Sequence, residues 1–334
     1  MIKAFWFNNR QEMSDVLHPD FFTPKTCFQV QAALPNAVAP VKIRIAAVCG
    51  GIAMFEQTYV VEELEPGGIV ILQKSTDTLE NDPEQLDIQI ITGENVYTKS
   101  IKCEYAVISG KTTDFNGNPF LSAVVFNMAS FEGMESGLGV WSDAEGYYSI
   151  RLPKGEYNSV FVDDNSYGQT SLEAWGWKMI IDRNESHDFK IGNGEVYSMD
   201  IWANNGGAQS LFVYFRPMVL SYAMQAMAQE SKPVVTLNSK DYAVLEASPD
   251  INIEDVSVEI NGRKAINISL QKIFETAPDG SAFPAYILQC ERHYSVDKQT
   301  MILEYIFKDS DGNLAQSQGR TQFYYINSYG VAVR

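Results

Sequence analysis

Basic charge, histidine and metal-type cysteine spacing are what this chain has least of. Its 334 residues carry 25 Lys and Arg against 42 Asp and Glu, a formal net charge of −17. Acidic residues outnumber basic ones in every third: 14 to 8 over residues 1–104, 14 to 7 over 105–220 and 14 to 10 over 221–334. Phosphate backbones and anionic lipid surfaces are bound by clustered Lys and Arg. The balance therefore speaks against a nucleic-acid partner and against a charged membrane surface, and acidity spread this evenly serves solubility. The cysteines Cys27, Cys49, Cys103 and Cys290 form no CxxC pair, and His18, His187 and His293 fall one to each third. No single domain can then assemble a multi-histidine site, and no histidine lies at a zinc-ligand spacing from the cysteines. No metal and no cofactor is expected. Cysteine is often a small core residue, so thiols are expected, and the spacing leaves a Cys27–Cys103 bridge open.

Long apolar runs are missing as well, and no membrane insertion is expected. The opening "MIKAFWFNNRQEMSDVLHPD" lacks the sustained apolar core of a secretory signal. That points either to a cytoplasmic chain or to one whose leader has been removed. G-x-S-x-G, HExxH, P-loop and GxGxxG motifs are all absent, so no catalytic residue is assigned and the chain is read as a non-enzyme. Paired carboxylates do occur, at Glu132/Glu135, Asp163/Asp164 and Glu185/Asp188. They arise readily by chance in so acidic a chain, and leave a hydrolase with an acidic site as a third reading. The run with Asp309, Asp311 and Asn313 resembles a calcium loop but has Arg320 where an EF-hand needs its twelfth-position glutamate. It is read as a hairpin turn, and "VDDNSYG" (162–168) as a solvated loop.

What is present is strand signal from end to end. "CFQVQAAL", "VKIRIAAV" and "LDIQIITG" are β-branched, partly alternating runs, separated by turn clusters such as "EPGG". Asn116-Gly117 and Asn261-Gly262 supply hairpin turns. "SYAMQAMAQE" (221–230) is read as a linker with a helical turn. The expected fold is all-β: three consecutive β-sandwich domains over 1–104, 105–220 and 221–334, the outer two immunoglobulin-like in texture and the middle one with a C-terminal extension.

The middle third carries "ISGKTTDFNGNPFLSAVV" followed by "SDAEGYYSIRLPKGEY". Its landmarks are Gly110, Pro119, Ala123, Val125, Asp143, Gly146, Tyr148, Ile150, Leu152, Pro153, Gly155 and Tyr157. This pattern resembles the carboxypeptidase regulatory-like domain, a small transthyretin-like β-sandwich. The resemblance implies a non-catalytic stabilising or binding module, of the kind found in surface and gut-bacterial proteins. It favours an extracytoplasmic location, implies turns at Asp143–Gly146 and Pro153–Gly155, and turns Tyr148 and Leu152 inward. Both glycines are expected to need backbone angles that cost other residues energy.

Four of the five tryptophans lie in this third: Trp141, Trp175, Trp177 and Trp202. On a strand, Trp175, Trp177 and Met179 would share one face. Tentative ligand-binding residues are Trp175 and Trp177 as a stacking shelf, with Glu173, His187, Glu195, Tyr197 and Arg216 as polar groups nearby. The competing reading, preferred from the apolar company the pair keeps, buries both indoles in a core or a domain interface. Arg216, a charge in the apolar run "VYFRPM", is expected either to pair with Glu195 or Asp200 or to sit on an edge strand. The function expected is a non-catalytic binding or interaction protein, with carbohydrate or another protein as partner. The alternative is a structural spacer of rigid β modules.

Overall fold

A computed structural model describes residues 1–13, 23–131, 137–204, 209–295, 297–308 and 314–324. His18, the Glu132/Glu135 pair and the Asp309–Asn313 turn lie outside the described residues. The chain is all-β and built of sandwich layers.

The first sandwich comprises β1 (Ile2–Asn9), β2 (Lys25–Ala33), β3 (Val41–Cys49), β4 (Ile52–Val61), β5 (Ile69–Thr76), β6 (Gln85–Thr92) and β7 (Asn95–Lys102). A β1-β2-β5 sheet faces a β4-β3-β6-β7 sheet. In "QLDIQIIT", Leu86, Ile88 and Ile90 point inward while the residues between them are half exposed. This is the period-two pattern of a sheet with one wet face.

The middle sandwich comprises β8 (Tyr105–Thr113), β9 (Ala123–Met128), β10 (Gly137–Trp141), β11 (Tyr147–Pro153), β12 (Gly155–Asp163), β13 (Ala174–Ile181), β14 (Glu185–Ser186) and β15 (Phe189–Lys190). Strands β8 and β11 pair antiparallel, with β14 and β15 along the other edge of β8. The opposing layer runs β10-β9-β12-β13. Tyr148, Leu152 and Tyr157 are sealed in the core between them.

The remaining strands are β16 (Gly194–Trp202), β17 (Ser210–Val219), β18 (Val234–Leu237), β19 (Lys240–Val244), β20 (Val256–Ile260), β21 (Arg263–Ala265), β22 (Asn267–Thr276), β23 (Ser281–Glu291), β24 (Gln299–Lys308) and β25 (Leu314–Phe323), with helix α1 (Leu220–Ala228) after β17. One layer is β16-β17-β23-β19-β18 with β22 beside β23, and the other is β25-β24-β20-β21. Strands β16 and β17, expected as an extension of the middle domain, thus ladder into the sheet of the last third. The physical reason is continuity: β17 runs directly into α1 at Leu220, so no linker separates 220 from 221. Hydrogen bonding changes partner near Asn193 instead.

Strand β25 also pairs in parallel with β13, matching Trp175 with Gly319 and Trp177 with Thr321. One eight-stranded sheet, β10-β9-β12-β13-β25-β24-β20-β21, therefore runs through both sandwiches.

Three local expectations change. Met179 does not share the tryptophan face. Lys178 has φ +52° and Asn158 is an extra residue of β12 against β9, so the alternation slips there and Met179 drops into the middle core. Gly146 has φ +82°, and a Cβ on it would lie 2.4 Å from Thr112 O. Gly155, by contrast, has no left-handed backbone and open space around it, so it is not a constrained turn position. Cys27 packs in the middle core and Cys103 in the first, so they form no bridge.

Candidate functional site

Strand β13 presents both indoles on one side, stacked with ring centroids 4.7 Å apart and planes 11° apart. Tyr197 of β16 meets them edge-on at 5.5 and 5.1 Å. Arg216, its neighbour across β17, lies 4.5 Å over the Tyr197 ring and 4.8 Å over Phe283. The two indoles are half-buried, and their N–H groups are used internally. Trp177 Nε1 donates to Val196 O (3.1 Å) and Trp175 Nε1 to Glu195 Oε2 (3.3 Å). Offset and edge-on aromatic contacts of this kind add stability beyond area burial, about 0.5–1.5 kcal/mol per pair. The stack is thus a seam between the middle and last sandwiches.

Arg216 pairs with neither Glu195 nor Asp200. Its Nη1 donates to Glu275 Oε2 of β22 at 3.2 Å, an oxygen that also accepts from the Tyr214 hydroxyl at 2.6 Å. It is not on an edge strand either, because β17 lies between β16 and β23. Asp200 pairs with Lys178 at 2.6 Å.

Glu173 and Glu195 meet beneath the stack, 4% and 2% exposed. Burial, and then the Glu195 charge and hydrogen bond, hold the Glu173 carboxyl well above the usual range. Burial raises Glu195 too, but Glu173, Trp175 and Arg216 each favour its charged form. Both carboxyls are thus held toward their neutral forms, Glu173 by burial and by Glu195 beside it, and Glu195 by burial. Asp163, also buried, is raised by the same desolvation. These carboxyls line neither of the clefts described next.

His187 lies apart from the stack, in a polar cleft of about 650 Å³ between residues 185–190 and the outer face of β20, β24 and β25. Its Nε2 is 3.3 Å from Glu185, and burial keeps the ring below its ordinary pKa and neutral. Glu185 also bonds Lys298, whose side chain is 2% exposed and reaches Asp182 (2.6 Å), Glu185 (2.9 Å) and Ile180 O (2.5 Å). Burial opposes ionisation of Glu185, but bonds from His187, Lys298 and Gln322 outweigh it and hold the carboxyl at about 2. Arg320 is buried against Phe189 and donates to Asp188 O. The sequence does not single out Lys298 or Arg320 as structural charges.

A second cleft, about 460 Å³ and mostly apolar, lies between β13, β16 and the end of β25, with Trp202 on its wall. Among the tentative residues, the structure therefore gathers Trp175, Trp177, Glu173, Glu195, Tyr197 and Arg216 into one seam and leaves His187 in another cleft. Among the described residues no cluster of three or more His, Cys, Asp or Glu is placed to hold a metal.

No family model matches the chain, and no curated protein matches it. Solved structures similar to it include the major pilin subunit BcpA of Bacillus cereus, at 8% identity and TM-score 0.19, covering 66% of this chain and 69% of that one. A bacterial ice-binding adhesin aligns at 10% identity and TM-score 0.18, covering 96% and 97%. The N-terminal eight immunoglobulin domains of Down Syndrome Cell Adhesion Molecule align at 12% and 0.16, covering 88% and 38%. Likeness at this level assigns the chain neither a family nor a role.

Proposed function

We propose that this chain is a non-catalytic scaffold, a stiff series of β-sandwiches that holds an interaction surface in place. The observation that carries this reading is the eight-stranded sheet running unbroken through two sandwiches. Beads on a string turn relative to each other; a shared sheet with a stacked aromatic seam and a buried lysine across it does not. The tryptophan pair serves that stiffness. Its N–H groups and one flank are committed internally, which favours the spacer reading over a sugar shelf at Trp175 and Trp177. Three units are proposed, with the second boundary moved from 220 to the Asn193 region. The middle unit is read as carboxypeptidase regulatory-like, supported by buried Tyr148 and Leu152 and by the left-handed Gly146. Carbohydrate remains the ligand class proposed, and an extracytoplasmic surface the location.

Scanning calorimetry tests the scaffold. The middle and last sandwiches are expected to melt as one transition, with a calorimetric enthalpy equal to the van't Hoff value. Separate transitions for residues on either side of Asn193 would defeat it.

A further inference from the structure

The strands facing each other across the seam break their alternation at the same level. On β13 the break is Lys178, with φ +52°. On β16 it is Ser198, φ +57°, where Ser198 and Met199 together stand opposite one residue of β17. Left-handed backbone at a non-glycine residue inside a strand is costly, and bulges of this kind re-aim side chains. The consequence can be read from burial. Without the β16 bulge, Met199 and Ile201 would share the side of Tyr197. With it, they pack toward the last core, and Asp200 and Trp202 turn outward. On β13 the same slip sends Met179 inward and turns Lys178 and Ile180 outward. Both irregularities thus deliver their side chains to one place, the 460 Å³ cleft.

The cleft has the makings of a ligand site. Its volume lies in the range of small-molecule pockets, roughly 300–1,000 Å³. Trp202 is 37% exposed, and stacking on Phe212 (5.7 Å, 16°) fixes its ring. Lys178 Nζ and Asp200 Oδ1, 2.6 Å apart, supply a donor and an acceptor, and both side chains remain about half exposed. The Gln322 amide and Tyr324 ring complete the wall. A large apolar face beside a donor–acceptor pair, with the Glu156 carboxylate as a further acceptor on the wall, suits neither a plain hydrocarbon nor an anion. It suits a ring with C–H groups on one face and hydroxyls at its edge.

We propose that this cleft binds a neutral pyranose unit of a glycan, with Trp202 stacking on the sugar's C–H face and Asp200 and Lys178 hydrogen-bonding its hydroxyls. This rests on the carbohydrate reading above but moves its site from the tryptophan pair to Trp202.

The test is a glycan array probed with the full chain, with Trp202→Ala and with Asp200→Asn, followed by titration of any retained oligosaccharide under tryptophan fluorescence. Trp202→Ala is expected to weaken binding at least tenfold and Asp200→Asn several-fold, with the native melting profile kept in both. Asp200→Asn preserves shape, so it reports on the site even if Trp202→Ala fails to fold. Glycan binding left unchanged in Asp200→Asn, and in any folded Trp202→Ala, overturns this site while leaving the carbohydrate reading standing. No glycan retained by the native chain overturns both.

Discussion

The two junctions of this chain are made of different materials. Between the first and middle sandwiches the contact is mainly an apolar plug. Phe7 of β1 is fully buried in the middle core, edge-on to Phe131 at 5.0 Å, and Met13 packs against Gly139 of β10. Polar reinforcement there is neutral and part-buried, Trp6 Nε1 donating to the Tyr105 hydroxyl (2.9 Å) and that hydroxyl to Pro83 O (2.7 Å), with Asp82 accepting from Arg10 and Arg151, both largely exposed. Between the middle and last sandwiches the contact is a backbone ladder flanked by ionisable groups, Lys298, Arg320 and the Glu173–Glu195 pair buried and Glu185 half-buried. An apolar plug is indifferent to pH and tolerant of direction. A hydrogen-bonded ladder with buried charges fixes one register and makes its stability depend on protonation.

The largest effect belongs to the plug. Phe7→Ala removes a fully buried ring and is expected to cost about 3–5 kcal/mol, read by urea denaturation. The loss should be the same at pH 5 and pH 8; a strong pH dependence would show that the first junction is not simply apolar. Next comes the ladder's ion cluster. Lys298→Ala leaves Asp182 and Glu185 without their buried cation, at a cost of about 3 kcal/mol. Unlike Phe7→Ala, it should separate the joint melting transition of the middle and last sandwiches. If one sharp transition persists, the shared sheet alone welds them.

How much of this contrast the sequence disclosed depends on the range of the signal. Strand alternation is local, so the all-β fold was legible; the inward positions of Tyr148 and Leu152 followed from the resemblance of the middle third to the carboxypeptidase regulatory-like domain. Gly146 and Gly155 looked equivalent in "EGYYSIRLPKGEY", but only Gly146 combines φ +82° with a close backbone oxygen. Gly146→Val is accordingly expected to cost about 2 kcal/mol and Gly155→Ala close to nothing, since strain arises only where the backbone is left-handed. The aromatic seam was half legible: Trp175 and Trp177 do share a face, yet the bulge at Lys178 that removes Met179 from it has no signature in "WGWKMII". The parallel pairing of β13 with β25 joins residues more than 140 positions apart. Nothing local announces such a partner, and the boundary near Asn193, Lys298 and Arg320 were missed for the same reason.

Acid should distinguish the junctions again. The Glu185 carboxyl is held down to about 2 in the folded chain, against an ordinary value near 4.5. A depressed folded pKa gives stability that is present above the unfolded value and lost as pH falls toward the folded one. Lowering the pH from 5 to about 2.5 should therefore weaken the second junction, by about 1–2 kcal/mol once solvent screening of this half-buried group is allowed for. Glu185→Gln should flatten that part of the profile, and a profile unchanged by it would remove Glu185 as the cause.

A last effect has the opposite sign, and it lies in the same junction. Glu173 is held above the usual carboxyl range, first by burial and then by Glu195. Above about pH 4.5 the unfolded chain releases this proton while the folded chain keeps it, so the folded state binds more protons and stability falls as pH rises. One proton sets a ceiling of about 1.4 kcal/mol per pH unit on that slope. Glutamine has nearly the shape of a protonated glutamate and still donates to Glu195, so Glu173→Gln keeps the bond and removes the titration. At pH 5 the variant should lie close to the native chain, and its advantage should grow steadily toward pH 8, within that ceiling of about 1.4 kcal/mol per pH unit. The measurement is a set of urea midpoints from pH 5 to 9 for both proteins. A native chain whose stability does not fall across that range, or a variant that is destabilised throughout, would mean that Glu173 is ionised in the fold.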